Sequence, residues 1–280
     1  MTDDGARVPL AGVVGWPIAH SRSPALHGHW LKRYGIEGHY VPLGIEPKDF
    51  EAALAAAPKL GFRGVNVTIP FKETAIRLAH KVSDRAALIG AANTLTFQED
   101  AGVHADNTDG YGFLENLRHG APDWRGGAGP ALVLGAGGAA RAVIHALLHA
   151  GAPRVMLANR TRSRARNLRD HFGIRVKVVD WEDLPVVMPE ARTLVNTTSL
   201  GMTGQPPLTV SLRGLPVETL VTDLVYNPLM TELLRAAQQR GNPVVDGLGM
   251  LLHQAVPGFE MWFGLRPVVD DALHQMVLAA

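Results

Sequence analysis

The chain has 280 residues, 46% of them hydrophobic, and a formal net charge of +1. Such a chain can bury two domain cores, and a charge so near zero gives no reason to expect nucleic acid or a membrane surface as partner. There is no cysteine, which excludes disulfides and thiolate metal sites, and the acidic start Met1-Thr2-Asp3-Asp4 lacks an apolar signal core. No apolar run reaches the roughly 18 residues that span a bilayer, so a soluble cytoplasmic protein is expected.

In chain order, residues 10–14 predict a first strand. A polar, proline-marked loop follows, with Ser23 as N-cap and Pro24 as first helical residue. Leu26, Trp30, Leu31 and Tyr34 share one helical face, and Gly35 stops that helix. Residues 40–45 predict a strand, 47–57 a helix and 64–69 a third strand. Short helices near 74–79 and 85–89 and a strand at 94–97 complete a first α/β domain with a mainly parallel sheet. The segment 81–84 between those helices reads as a turn.

From Asp109 a helix over 112–118 leads into the most informative stretch. The apolar run 131–134 is a buried strand. It is followed at once by Gly135-Ala136-Gly137-Gly138-Ala139-Ala140, then by a helix over 141–150 and a parallel strand over 155–158. Strand, glycine turn, helix and strand make half of a dinucleotide-binding fold. The glycines admit a pyrophosphate close to the backbone, and the helix N-terminus offers it unpaired N–H groups.

The end of the second strand decides which dinucleotide. An NAD site usually carries an acid there for the ribose 2′-hydroxyl. No acidic residue occurs from Pro130 to Arg169; Asn159 is followed instead by Arg160, Thr161, Arg162, Arg164 and Arg166. A guanidinium grips a 2′-phosphate that a carboxylate would repel, so the expected cofactor is NADP. Arg160 and Arg164 are the better placed, with Thr161 as helix N-cap or phosphate contact. Arg162 and Arg166 read equally well as a solvated basic face.

Further strands near 176–179, 193–196, 220–225 and 244–245 bring this domain to six, the number of a complete doubly wound sheet. The tail from Leu248 shows no strand pattern and reads as helices returning to the first domain. The expected architecture is α/β in two domains. A substrate domain covers 1–108 and 248–280, and a Rossmann NADP domain covers 109–247.

Five polar motifs fall at turns beside or after strands. They are His20-Ser21-Arg22-Ser23-Pro24, Asn66-Val67-Thr68-Ile69-Pro70-Phe71-Lys72, Gly90-Ala91-Ala92-Asn93-Thr94, Asp106-Asn107-Thr108-Asp109-Gly110 and Gly249-Met250-Leu251-Leu252-His253-Gln254. Ligands of parallel α/β sheets gather at the C-terminal strand ends, where these loops lie. Their hydroxyls, amides, ammonium and carboxylate suit a small polyol acid. No metal site is expected, since His20 and His27 lack carboxylate-rich company.

With Asn196-Thr197-Thr198-Ser199-Leu200-Gly201-Met202 and Asp223-Leu224-Val225-Tyr226-Asn227-Pro228, these motifs stand in an order that resembles the shikimate dehydrogenases over nearly the whole chain. The resemblance implies NADPH-dependent, reversible reduction of 3-dehydroshikimate to shikimate, a step toward chorismate and the aromatic amino acids. It implies that Ser21 and Ser23 hold the substrate carboxylate and that Thr68 donates to it or to a ring hydroxyl. Lys72 and Asp109 would flank the reacting C3 oxygen, while Asn93 and Gln254 fix other hydroxyls and Tyr226 lies near the substrate. On the cofactor side it implies Thr197, Val225, Gly247 and Met250 near the nicotinamide, beside Gly135, Ala136, Gly137, Gly138, Ala139, Asn159, Arg160, Thr161 and Arg164 already named.

Physical chemistry supports the lysine–aspartate pair. Hydride delivery to a ketone leaves negative charge on oxygen, which an ammonium stabilises and protonates. Which of Lys72 and Asp109 moves the proton is not decided by sequence. Two other readings stand beside this one. A quinate/shikimate dehydrogenase would more often use NAD and carry an acid where Arg160 stands. A non-catalytic NADP sensor on the same fold would tolerate loss of Lys72 or Asp109. Partners beyond a small-molecule substrate are not expected, and the protein is expected to be a monomer or homodimer.

Overall fold

The computed structural model describes residues 8–98 and 102–280; the acidic stretch Met1 to Asp4 lies outside them. The chain forms two compact units, Met1–Thr108 with Leu252–Ala280, and Asp109–Leu251.

The first unit contains β1 (Leu10–Gly15), α1 (Ser23–Arg33), β2 (His39–Gly44), α2 (Phe50–Ala56), β3 (Phe62–Val67), α3 (Lys72–Leu78), β4 (Lys81–Val82), α4 (Asp84–Ile89), β5 (Thr94–Gln98) and β6 (Gly102–Asp106). Its sheet has the order β2-β1-β3-β5-β6-β4. β5 runs antiparallel to β3 and β6, while the β1–β2, β1–β3 and β4–β6 pairs are parallel. The expectation of a mainly parallel sheet therefore holds, with one reversed strand. One apolar layer joins Val14, Val65, Val67 and Leu95 to Phe50, Leu54, Phe71 and Ala75.

Two of these strands are not visible in the sequence. β6 carries a histidine and an aspartate in five residues, and β4 has only two residues. Both exist because the backbone finds ladder partners: β6 pairs with β5, and Lys81–Val82 pairs with His104–Ala105. The expected turn at 81–84 is thus a short strand, and the Ser83 hydroxyl then accepts from the Ala86 N–H to cap α4. The helix expected over 47–57 opens as a 3-10 turn, Pro47–Asp49, before α2.

The second unit contains α5 (Asp109–Gly120), β7 (Ala131–Leu134), α6 (Gly138–His149), β8 (Val155–Ala158), α7 (Arg162–Phe172), β9 (Val176–Val179), α8 (Leu184–Val187), β10 (Thr193–Asn196), β11 (Leu220–Asp223), α9 (Glu232–Gln239) and β12 (Val244–Val245). Its six strands follow the order β12-β11-β10-β7-β8-β9, and all five pairings are parallel. Counted within the unit, that is the 3-2-1-4-5-6 order of a dinucleotide-binding sheet, with its switch point between β7 and β10. Both faces of β7 are buried: Ala131 and Val133 join one apolar cluster, Leu132 and Leu134 the other. This is why the strand reads as an unbroken apolar run rather than an alternation. The strand expected over 220–225 stops at Asp223, because the Asp223 carboxylate accepts from the Val225 N–H at 3.0 Å and turns the chain. Gly126–Ala128 forms a 3-10 turn ahead of β7.

α10 (Leu248–Phe263) begins in the second unit and ends in the first, and α11 (Asp271–Ala279) closes the chain. In the first unit the Trp262 indole N–H donates to the Leu95 carbonyl at 3.1 Å, and the Trp30 indole to the Val268 carbonyl at 3.1 Å. The C-terminal helices are thereby tied to β5 and α1.

Candidate active site and cofactor site

The polar residues of the first unit converge at strand ends. Asn93 immediately precedes β5 and is 2% exposed. Its side-chain amide donates to the Thr108 hydroxyl at 3.0 Å and to Gln254 Oε1 at 3.2 Å, and its Oδ1 accepts from the Thr108 N–H at 2.8 Å. Asn93 and Gln254, 161 residues apart in sequence, are therefore direct partners. Asn66 on β3 extends the network: its Nδ2 donates to the Asn93 carbonyl at 3.2 Å and to the Thr94 hydroxyl at 3.3 Å. Tyr40 on β2 donates to Asn66 Oδ1 at 2.7 Å and is also hydrogen-bonded to Ser23. The unbroken path from Ser23 through Tyr40 and Asn66 to Asn93 and Gln254 fixes the amide orientations before any ligand arrives.

Ser23 is not the N-cap expected from sequence. It is the first residue of α1, Pro24 the second, and Arg22 occupies the cap position. The Ser21 hydroxyl instead accepts the Ser23 N–H at 3.3 Å, so the two serines are coupled at one helix start. Thr68 follows β3, its N–H donating to the Val14 carbonyl and its carbonyl accepting from Phe71. Lys72 opens α3 earlier than the helix expected from 74, and its carbonyl accepts from the Ala92 N–H at 2.9 Å. That bond joins the lysine segment to the Asn93 segment.

Asn66 and Thr108 stand in the polar motifs of the sequence without a role of their own, and Tyr40 lies outside those motifs. The available signal was a polar side chain interrupting a buried strand: Asn66 in Phe62–Val67 is 5% exposed. Beneath Tyr40 lies His27, fully buried, its ring stacked on the tyrosine at 3.8 Å. Neither His27 ring nitrogen has a hydrogen-bond partner among the described residues. Burial pushes its pKa down to about 3, so it is neutral at ordinary pH.

In the second unit Asp109 is the first residue of α5 and is buried. An acid in the first turn complements the helix dipole. Gly135 has φ +108, where a side chain would be strained, and an added Cβ would lie 2.6 Å from Thr197 Oγ1. The glycine is thus needed where the loops after β7 and β10 meet. Gly137 occupies the cap of α6 and is exposed, while Ala136, Gly138 and Ala139 are partly so. Asn159, at the end of β8, accepts the Ala136 N–H at 3.1 Å and donates to the Thr161 carbonyl at 2.8 Å, fastening the glycine loop to the arginine segment. Thr161 stands at the cap of α7 but makes no side-chain capping bond.

Arg160 and Arg164 are exposed and have no ion-pair partner among the described residues. Arg162 pairs with Asp180, and Arg162, Arg166 and Arg169 line an open groove of about 790 Å³ beside β9. The four arginines therefore divide: Arg160 just after β8 and Arg164 in the first turn of α7 are free of ion pairs, and two belong to the groove. The Thr197 hydroxyl donates to the Leu134 carbonyl at 2.8 Å and retains its acceptor capacity. Val225 is buried, Tyr226 half-buried, and Met250 packs into the apolar core of this unit. Gly247 is buried after β12, and a Cβ there would lie 2.5 Å from the Leu224 carbonyl, so close packing alone requires this glycine.

An open loop with a helix N-terminus behind it, two free guanidinium groups and no acid at the strand end fit a dinucleotide with a 2′-phosphate. The comparisons with known proteins agree. Residues 13–95 match the family description "Shikimate dehydrogenase substrate binding domain", residues 127–202 "Shikimate / quinate 5-dehydrogenase" and residues 247–274 "Shikimate 5'-dehydrogenase C-terminal domain". The chain is 65% identical over 273 residues to a shikimate dehydrogenase (NADP(+)) of Dinoroseobacter shibae, covering 98% of each chain. The chain belongs to the shikimate dehydrogenase family. Its fold is that of solved members. A Thermus thermophilus shikimate 5-dehydrogenase in complex with NADP(H) and shikimate is 39% identical with a TM-score of 0.85, over 97% of this chain and 99% of that one. A Corynebacterium glutamicum quinate dehydrogenase in complex with NAD is 31% identical with a TM-score of 0.90, over 98% and 99%.

Proposed function

We propose that this chain is an NADP-dependent shikimate dehydrogenase. It catalyses the reversible reduction of 3-dehydroshikimate to shikimate on the route to chorismate and the aromatic amino acids. The observation that carries this reading is the 65% identity across 98% of the chain to an enzyme of that name. The free Arg160 and Arg164 support its cofactor half.

On this reading the unit of residues 1–108 and 252–280 binds substrate, and the unit of residues 109–251 binds NADP. Ser21 and Ser23 hold the substrate carboxylate, and Thr68 adds a hydroxyl donor. Asn93 and Gln254, already bonded to each other, bind ring hydroxyls. Tyr226 lies beside the substrate. Gly135, Ala136, Gly137, Gly138 and Ala139 would receive the pyrophosphate. Asn159, Arg160, Thr161 and Arg164 would hold the adenosine end. Thr197, Val225, Gly247 and Met250 would line the nicotinamide end.

NADPH, when bound, supplies the hydride. Lys72 would stabilise the developing alkoxide with its ammonium, and either Lys72 or Asp109 would deliver the proton. Asp109 accepts from the substrate hydroxyl and orients it. A pocket of paired polar groups rejects analogues that lack a hydroxyl, because its own groups are then left unsatisfied. The protein acts on a small-molecule substrate in the cytoplasm, as a monomer or homodimer, which sedimentation would settle.

The 0.90 TM-score to a quinate dehydrogenase in complex with NAD favours quinate and NAD as the second reading. One initial-rate experiment separates the two. Shikimate or quinate is offered with NADP or NAD, and Lys72→Ala is run beside the wild type. Turnover confined to shikimate and NADP, and lost in Lys72→Ala, is expected. Comparable turnover with NAD would overturn the arginine argument.

A further inference from the structure

The carboxylate of Asp223 is 0% exposed at the end of β11, and neither the sequence reading nor the proposed chemistry gives it a task. It has no ion-pair partner among the described residues. It is surrounded by neutral donors instead: Asn196 Nδ2 at 2.8 Å and the Val225 N–H at 3.0 Å on Oδ1, and the Thr231 hydroxyl at 2.8 Å on Oδ2. Burial pushes its pKa up to about 6 against the pull of those three bonds. A strand end that only had to pack would be better served by an apolar residue, because an interior carboxylate loses its hydration.

What the carboxylate organises lies on both sides of it. Asn196 is itself 0% exposed and closes β10. Held by Asp223, it accepts at Oδ1 from the Thr198 N–H at 3.0 Å and the Thr198 hydroxyl at 2.7 Å. Its Nδ2 also donates to the Leu200 carbonyl at 3.3 Å, and the Thr198 hydroxyl accepts the Leu200 N–H at 3.1 Å. One branch from Asp223 therefore shapes the loop after β10. The other branch shapes the turn after β11, through Val225 and through Thr231 at the cap of α9. Both segments leave the same edge of a parallel sheet, beside the switch point where such folds bind their dinucleotide.

We propose that Asp223 is a positioning residue for the nicotinamide half of the cofactor, latching residues 197–202 and Val225 into the conformation that receives it. The inference rests on the reading that these two segments contact NADP. Asp223 does not touch the cofactor and acts only through its neighbours. Alanine at this position removes both acceptor oxygens, and with them all three bonds, and releases the Asn196 amide. Asparagine keeps an acceptor for Asn196 and Val225 and can donate to the Thr231 hydroxyl, so it preserves the latch without the charge.

The test uses the full-length protein as wild type, Asp223→Ala, Asp223→Asn and Thr198→Val. Steady-state KM values for NADP and for shikimate are measured, together with amide hydrogen exchange. Asp223→Ala is expected to raise the KM for NADP tenfold or more, to leave that for shikimate within twofold, and to speed exchange at 197–202 and 224–231. Asp223→Asn is expected to stay within threefold of wild type. Thr198→Val, which cuts one branch only, is expected to give a smaller rise in the KM for NADP. Equal losses in Asp223→Asn and Asp223→Ala, or a parallel rise of both KM values, overturn the proposal. If Asp223→Ala does not fold, an unchanged KM for NADP in Thr198→Val overturns it. Loosened segments with an unchanged KM for NADP mean that the segments do not contact the cofactor; segments that do not loosen mean that the latch itself is wrong.

Discussion

Arg160 and Arg162 are two residues apart, both are exposed, and the structure gives them different surroundings. Arg162 pairs with Asp180, whereas Arg160 has no ionic partner among the described residues. Arg160→Ala is therefore expected to raise the KM for NADP about tenfold, the scale of one charge-assisted hydrogen bond, and to leave any NAD activity unchanged. Arg162→Ala should move neither, and equal effects of the two substitutions in initial-rate assays would show that the distinction is wrong. Lys72→Ala should lower kcat by about 100-fold to 10,000-fold, the usual contribution of a positioned acid–base group, with a far smaller change in KM. A loss expressed only in KM would make Lys72 a binding residue.

At the scale of elements, the C-terminal helices are held to the first unit by buried aromatic rings with polar tips. Trp262 is 0% exposed and reaches from α10 to the Leu95 carbonyl of β5. Trp262→Phe removes that donor and leaves unfilled volume, so a loss of at least about 2 kcal/mol is expected in urea unfolding, with the slope unchanged. An unshifted midpoint would mean that the indole bond contributes nothing. The second unit relies on a different device. Its sheet is buried on both faces, and its loops are fastened by side chains, Asn159 after β8 and Asp223 after β11. Apolar runs reveal such strands readily, but their ends depend on single side-chain bonds. That is why the strand expected to continue to Val225 stops two residues earlier.

At the scale of the whole molecule, acid acts on two buried groups, one in each unit, in opposite directions. His27 in the first unit has a folded pKa lowered from 6.5 to about 3. Below pH 6.5 the unfolded chain takes up a proton that the folded one refuses, so stability falls as the pH drops from 6.5 toward 3. At roughly 1.4 kcal/mol per pH unit, that costs about 3 kcal/mol by pH 4. Asp223 in the second unit has a folded pKa raised from 3.8 to about 6. The folded state there holds a proton that the unfolded chain has released, so this group adds stability to the second unit as the pH falls from 6 toward 3.8. Near pH 4, amide exchange is expected to open the first unit before the second. His27→Phe, which keeps the stack on Tyr40, should delay that opening. Simultaneous opening of both units in both proteins would refute the assignment.

The sequence alone determined the elements that local pattern controls and the cofactor type. An apolar strand, a glycine turn and an amphipathic helix are each specified by neighbours in the chain, and the absence of an acid from Pro130 to Arg169 excludes the usual NAD partner wherever the loop lies. Tertiary structure decided what depends on partners far along the chain. β4 and β6 exist through ladder bonds rather than propensity, and Ser23 is a helical residue whose N–H bonds to Ser21. Asn93 is bonded to Gln254 across 161 residues. The buried network from Ser23 to Gln254, and the carboxylate of Asp223 between two strand ends, arise because buried polar groups must find partners, and only the folded chain brings those partners within hydrogen-bond reach.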